Sequence, residues 1–191
     1  APRLAFVYDR SRLRLRSLRV LSLPLLDKLP LWQSMYTGIE RRYALVGLFD
    51  WRSGRSSKWR GRVALANFHL DTGGELPNRT AQLEHLAKEL GANKRRLLFG
   101  RAAAGPLPLV ACGDTNCFAW DAAQAERDLV SLLSPLERHH GAVDAHDFAS
   151  IGPTHYFARA NEPQLAHKIA VAFGKLGVDF PRRYDVVTSS L

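Results

Sequence analysis

Apolar and polar positions along the chain follow the two periods of regular structure, two residues in strands and 3.6 in helices. Leu4-Ala5-Phe6-Val7-Tyr8 reads as an opening strand, and Arg12-Leu13-Arg14-Leu15-Arg16 alternates strictly, which places leucines on one face and arginines on the other. Pro24 and Pro30 end that pattern, and Trp32 to Arg42 reads as a polar connection. Tyr43 to Phe49 and Arg62 to His69 are the next two strands, predicted to pair as an antiparallel hairpin. From Asn78 to Leu90 the period changes, with Leu83, Leu86, Ala87 and Leu90 at i, i+3, i+4 and i+7, so an amphipathic helix is predicted, stopped by Gly91 and followed by a basic tail at Lys94-Arg95-Arg96. Gly100 to Pro108 has the composition of a linker, and the apolar run Leu107 to Cys112 reads as a fully buried strand. Helices are predicted from Trp120 to Leu133, ending ahead of Pro135, and from Pro163 to Gly177; Tyr184 to Thr188 closes the list as a strand. Hairpins mixed with helical excursions indicate α+β or α/β, with a largely antiparallel, buried sheet and no internal repeat.

Composition narrows the class. A chain of 191 residues with 46% hydrophobic content can bury a core, which excludes disorder for most of it and fits a single globular unit. The apolar runs stop far short of the roughly 20 residues a membrane helix needs, so no span is expected. Cys112 and Cys117 are too few for a disulfide scaffold and lack the second pair of a zinc site, so an intracellular location, cytoplasm or nucleus, and a monomer are expected. The 27 Lys and Arg against 18 Asp and Glu leave a formal charge of +9, which attracts polyanions.

Three polar groups stand where the predicted strands end: Asn67-Phe68-His69-Leu70-Asp71, Gly113-Asp114-Thr115-Asn116 and Arg183-Tyr184-Asp185. An Asp and an Asn two apart after a buried strand reach one crevice, and Gly113 is expected to let the backbone approach a ligand closely. The carboxylate holds a water or a metal-bound group, the neutral amide donates to a phosphoryl oxygen without adding repulsive charge, and a His on a neighbouring strand donates to the same centre. Such a set suits hydrolysis of a phosphate ester.

These segments, with Arg79 and Gln82-Leu83 on the helix between them and Pro153-Thr154-His155-Tyr156 ahead of the last, resemble the endonuclease/exonuclease/phosphatase superfamily in order and spacing. The resemblance runs from Leu4 to Thr188. It implies a four-layer α/β/β/α sandwich of two mostly antiparallel sheets, here incomplete, and Mg²⁺-dependent (Mn²⁺ possible) hydrolysis of phosphodiesters or phosphomonoesters. It assigns His69 to contact the scissile phosphate with Asn67 as its companion, Asp114 to orient the attacking water and act as a metal ligand, Asn116 to steady the pentavalent phosphate, and Asp185 to orient a second catalytic His; Thr154 falls near the site. The family's early metal-binding Glu and its terminal Asp-His pair have no counterpart, so residues 1–191 resemble one domain truncated at both ends. The main metal ligand is then expected outside this chain, and the 191 residues alone are expected to be inactive or nearly so. Arg79 and Gln82 read as helix-surface or scaffold contacts.

Two further stretches carry chemistry. His139-His140 with His146 and Asp147 has the residue types of a metal site without a known ligand spacing, and together with His69 and Asp71 it supports a rival His/Asp metallohydrolase of another fold. The loop Trp51 to Arg62 holds five basic residues, two tryptophans and no acid, which suits a nucleic-acid backbone and its unpaired bases, with Trp51, Arg55 and Trp59 as substrate contacts. The expected function is a phosphodiesterase acting on nucleic acid or a nucleic-acid adduct. Inositol-phosphate or sphingolipid phosphoesterases and a catalytically inactive polyanion-binding module are the alternatives.

Overall fold

The computed structural model describes residues 4–24, 42–53, 58–71, 76–100, 107–118, 122–144, 155–156 and 181–189, the last two segments and residues 117–118, 122–123, 125–126 and 143–144 through their backbone alone. These residues form an α+β fold. Strands β1 (Leu13–Ser22), β2 (Tyr43–Trp51) and β3 (Gly61–His69) lead into helices α1 (Leu76–Glu89) and α2 (Ala92–Phe99); β4 (Leu109–Phe118), α3 (Ala122–His140), β5 (Val143–Asp144), β6 (His155–Tyr156) and β7 (Pro181–Ser189) follow. One mixed sheet results, ordered β1-β2-β3-β4-β7-β5, with β6 also beside β7. β3 and β4 are parallel because α1 and α2 carry the chain back between them; the other pairs are antiparallel. Lys94-Arg95-Arg96, read above as a tail, belongs to α2, where Lys94 pairs with Glu89 and Arg95 is buried.

Cross-strand partners share a face, so register divides the sheet into two sides. On one, Ala44, Val46, Leu48, Ala64, Ala66, Phe68, Leu109 and Ala111 are fully buried beneath Leu83, Leu86, Ala87 and Leu90 of the α1 segment and Leu129, Leu132, Leu133 and Leu136 of α3. Each such leucine contributes about 1.5–3 kcal/mol relative to an exposed one. On the other face Phe49 and Val63 are buried, while Leu65, Asn67, His69, Val110, Cys112 and Asp114 are partly open. Residues 4–8, expected as a strand, are extended without a sheet partner; Phe6 and Tyr8 instead set their rings edge-on to Phe49 at 5.7 and 5.0 Å. The second sheet of the expected sandwich is not among the described residues, and none of their helices is long and apolar enough to cross a membrane.

The alternation of β1 is interrupted by a bulge at Arg16, since Leu15 pairs with Phe49 and Ser17 with Leu48. Leu15 and Leu18 are three apart and would otherwise point to opposite sides; the extra residue brings Leu15, Leu18 and Val20 to one face. The leucines do not enter the core as the alternation predicts: these three are 36, 43 and 53% exposed on an edge strand. Arg14 and Arg16 both reach one carboxylate, Asp50.

Helix α3 runs through Pro135 instead of ending before it. A proline there removes the N–H that the carbonyl of Ser131 would accept, and the Ser134 hydroxyl donates to that carbonyl at 2.8 Å.

Candidate active site

The sequence Gly113-Asp114-Thr115-Asn116 does not follow the strand; it lies inside β4, whose register against β7 shifts between Asp114 and Cys117. Register carries three of the predicted residues into one row: His69 of β3 is the partner of Asp114 of β4, and Asp114 of Asp185 of β7. Neighbouring strands stand about 4.8 Å apart, so the row is about 10 Å wide, the scale of one phosphate ester and its leaving group.

The Asp114 carboxylate is oriented from below. Its Oδ1 accepts the Asn116 backbone N–H at 2.8 Å, an Asx-type turn, and its Oδ2 lies 3.8 Å from His69 Nε2. That separation is too long for a hydrogen bond, and Nε2 is buried without a hydrogen-bond partner among the described residues. A buried nitrogen left unpaired costs stability unless something occupies the gap. Asn116 adopts φ 49, the left-handed conformation that Asn tolerates better than most residues, and its side-chain amide donates to the carbonyl of Leu70 at 2.8 Å. Leu70 N–H in turn donates to the carbonyl of Asp114 at 2.9 Å. The ends of β3 and β4 are thereby tied together behind the row, and one of the two Asn116 amide hydrogens is committed to that tie.

Gly113 serves packing, not the approach of a ligand. It pairs with Phe68 on the helix-covered face, where a Cβ would stand 2.1 Å from the Phe68 carbonyl oxygen and 2.7 Å from its ring. Gln82 and Arg79 are buried scaffold residues, not helix-surface ones. Gln82 Oε1 accepts Asp71 N–H at 3.0 Å and its Nε2 donates to the Pro24 carbonyl at 3.1 Å, which holds the chain leaving β3 against the chain leaving β1. A polar side chain flanked by apolar helix positions was the available signal for that role. Beside the row, Asn67 donates to the carbonyl of Ala5 at 3.0 Å, and burial raises the pKa of the Cys112 thiol, keeping it neutral.

Other predicted contacts lie elsewhere. Thr154 and Arg55 fall outside the described residues, as do His146 and Asp147. Trp51 pairs with Gly61 at the start of β3, about 26 Å along the strand from His69, and Trp59 lies two residues before Gly61. The ring of Trp59 is faced by guanidinium groups, Arg14 at 4.6 Å and Arg52 at 5.0 Å from its centroid. His139 and His140 are turned onto α1, His139 Nε2 to Glu84 at 2.9 Å and His140 Nε2 to the Ala87 carbonyl at 2.9 Å. Among the described residues no three His, Cys, Asp or Glu side chains converge as a metal site. Asp114 therefore offers one oxygen ligand, and the described residues do not complete a Mg²⁺ centre, which takes six oxygens drawn from carboxylates, waters and substrate phosphates.

No family model and no curated protein matches the chain. Solved structures do. An endonuclease/exonuclease/phosphatase family protein from Bacteroides thetaiotaomicron superposes with a TM-score of 0.53 at 12% identity, over 95% of this chain and 52% of that one. A functionally unknown conserved protein from Enterococcus faecalis V583 and a mannosyl-6-phosphatase from Bacteroides thetaiotaomicron VPI-5482 each give 0.50 at 14% identity, over 95% of this chain and 56 and 54% of theirs. The chain thus shares the fold of endonuclease/exonuclease/phosphatase proteins and spans about half the length of these structures.

Proposed function

We propose that the row at the β3–β4–β7 edge is the reaction centre of a phosphoric ester hydrolase, and that the protein carrying this chain cleaves phosphodiesters of nucleic acid or of a nucleic-acid adduct. The observation that supports this reading is the buried Nε2 of His69, without a hydrogen-bond partner among the described residues, facing Asp114 Oδ2 across 3.8 Å. With its proton on Nε2, His69 donates to a phosphoryl oxygen as charge builds there. Asp114, its Oδ1 fixed by the Asn116 N–H, presents Oδ2 to an attacking water. The Mg²⁺ or Mn²⁺ requirement implied by the resemblance draws on ligands outside the described residues, and no step above depends on it. The +9 charge favours a polyanionic substrate over a sugar monophosphate.

The test is hydrolysis of a nucleotide p-nitrophenyl diester and of a sugar 6-phosphate by the protein carrying this chain, with Mg²⁺ present. His69→Gln and Asp114→Asn are each expected to lower kcat/KM on the diester at least about 100-fold with the fold intact. Folded variants that keep wild-type turnover overturn the assignment, and preference for the monoester overturns the substrate class.

A further inference from the structure

The end of the sheet remote from His69 carries its own concentration of charge. Register brings the start of β1 and the β2–β3 connection together: Leu13 pairs with Trp51, Arg14 with Asp50 and Asp50 with Arg62, while Arg52 N–H donates to the Arg12 carbonyl at 3.0 Å and Arg60 N–H to that of Trp51 at 2.9 Å. Among the described residues, four arginines at positions 10–16 meet Arg52, Lys58, Arg60 and Arg62 there, eight cations with Asp9 and Asp50. That surplus of six is two thirds of the chain's net charge of +9.

The arrangement is organised as well as charged. Asp50 is 4% exposed, and its Oδ2 receives Arg14 Nη2 at 2.7 Å and Arg16 Nε at 2.6 Å, with Arg62 Nε 3.4 Å from Oδ1. One guanidinium neutralises one carboxylate; three leave a surplus, on side chains each nearly half exposed. Arg14 and Arg52 are in turn held over Trp59, and Arg52 Nε bonds the Ser11 carbonyl. The guanidinium groups of Arg14 and Arg16, fixed at their inner edge on Asp50, suit the paired oxygens of a phosphate. Arg14, Arg16 and Arg62 converge on Asp50 at the helix-covered face, opposite to that of His69, so the surface does not continue the row of Asp114.

We propose that this end of the sheet is a second nucleic-acid site, which holds the phosphate backbone of a single strand, without regard to sequence, separately from the reaction centre. The inference rests on the proposed function only for its choice of ligand class. Binding is to be followed by fluorescence anisotropy of an oligothymidylate of about 20 nucleotides across a salt series, where each phosphate neutralised adds about −0.7 to the slope of log K against log salt. Arg12→Gln/Arg52→Gln/Arg60→Gln, which leaves the partners of Asp50 in place, is expected to weaken binding at least about tenfold near 0.1 M salt and to flatten the slope by about 2. In a His69→Ala background the same three glutamine substitutions are expected to weaken binding and flatten the slope as they do in the wild type, so loss of the hydrolase reading leaves this result standing. Arg12→Lys/Arg52→Lys/Arg60→Lys, which keeps the charge, guards against a folding defect and is expected to retain the slope. Wild-type binding by the glutamine variant, no loss from the same substitutions in the His69→Ala background, or tighter binding to phosphatidylserine vesicles than to the oligonucleotide overturns the proposal.

Discussion

Asn116 shows how one side chain sets a site. Its φ of 49 is a conformation that costs most residues about 1 kcal/mol or more, and two hydrogen bonds sustain it, from its N–H to Asp114 Oδ1 and from its amide to Leu70. Asn116→Gly relieves the backbone and removes the amide, whereas Asn116→Ala keeps the strain. We expect the alanine variant to melt lower than the glycine variant, and both to lose hydrolysis; equal melting temperatures would locate the cost in the amide alone. Gly113→Ala drives a methyl into Phe68 and is expected to cost about 1–3 kcal/mol, a fall of several degrees in the melting temperature. The residue types of the row were legible as Asn-x-His and Gly-Asp-x-Asn, because strand ends with paired polar groups are few. The job of Gly113 was not, since only register places its missing side chain against Phe68 and away from the row.

At the level of elements, hydrophobic period located β2, β3 and α1 within a few residues, since each packs a face that its own sequence marks, while β4 continues six residues past its predicted end at Cys112. It misplaced elements whose partners lie far along the chain. Residues 4–8 have the composition of a strand and serve as a cover for Phe49, and α3 passes through Pro135 because Ser134 takes over the lost hydrogen bond. β1 appeared as simple alternation, and its bulge shows only in the register against β2. Burial alone would raise the pKa of Asp50, and the hydrogen bonds and charge of Arg14 and Arg16 outweigh it, so the carboxyl ends below its ordinary value. A depressed folded pKa stabilises above the unfolded value, near 3.9, and that contribution is lost as pH falls through the folded one. Asp50→Asn is expected to lower stability by about 1–3 kcal/mol at neutral pH, discounted for the exposed guanidinium groups, with the difference from wild type shrinking in acid. Where α3 meets α1, burial lowers the pKa of His140, the Ala87 carbonyl opposes this, and the charges of Arg95 and His139 add to it. Folding favours the neutral ring, so the melting temperature is expected to fall below about pH 6.5, and less so in His140→Gln, as a thermal melt series across pH checks. An unchanged slope in that variant would assign the titration to another group.

Across the whole molecule the sheet separates two chemistries. One end gathers arginines round Asp50; the other lines up His69, Asp114 and Asp185 on three adjacent strands. Net charge was readable from composition, but the meeting of these arginines at one end of the sheet was not, because residues 10–16 and 52–62 are joined only by strand pairing. The account depends on His69 and Asp114 acting on one phosphate, and a kinetic double-mutant cycle on hydrolysis of the nucleotide diester, with His69→Gln, Asp114→Asn and both together, tests this most directly. Groups that serve one transition state lose function as a unit, so the double variant is expected to fall within about tenfold of the weaker single one, far short of the product of the two losses. Losses that multiply, or a folded double variant that turns over like wild type, would contradict the shared centre.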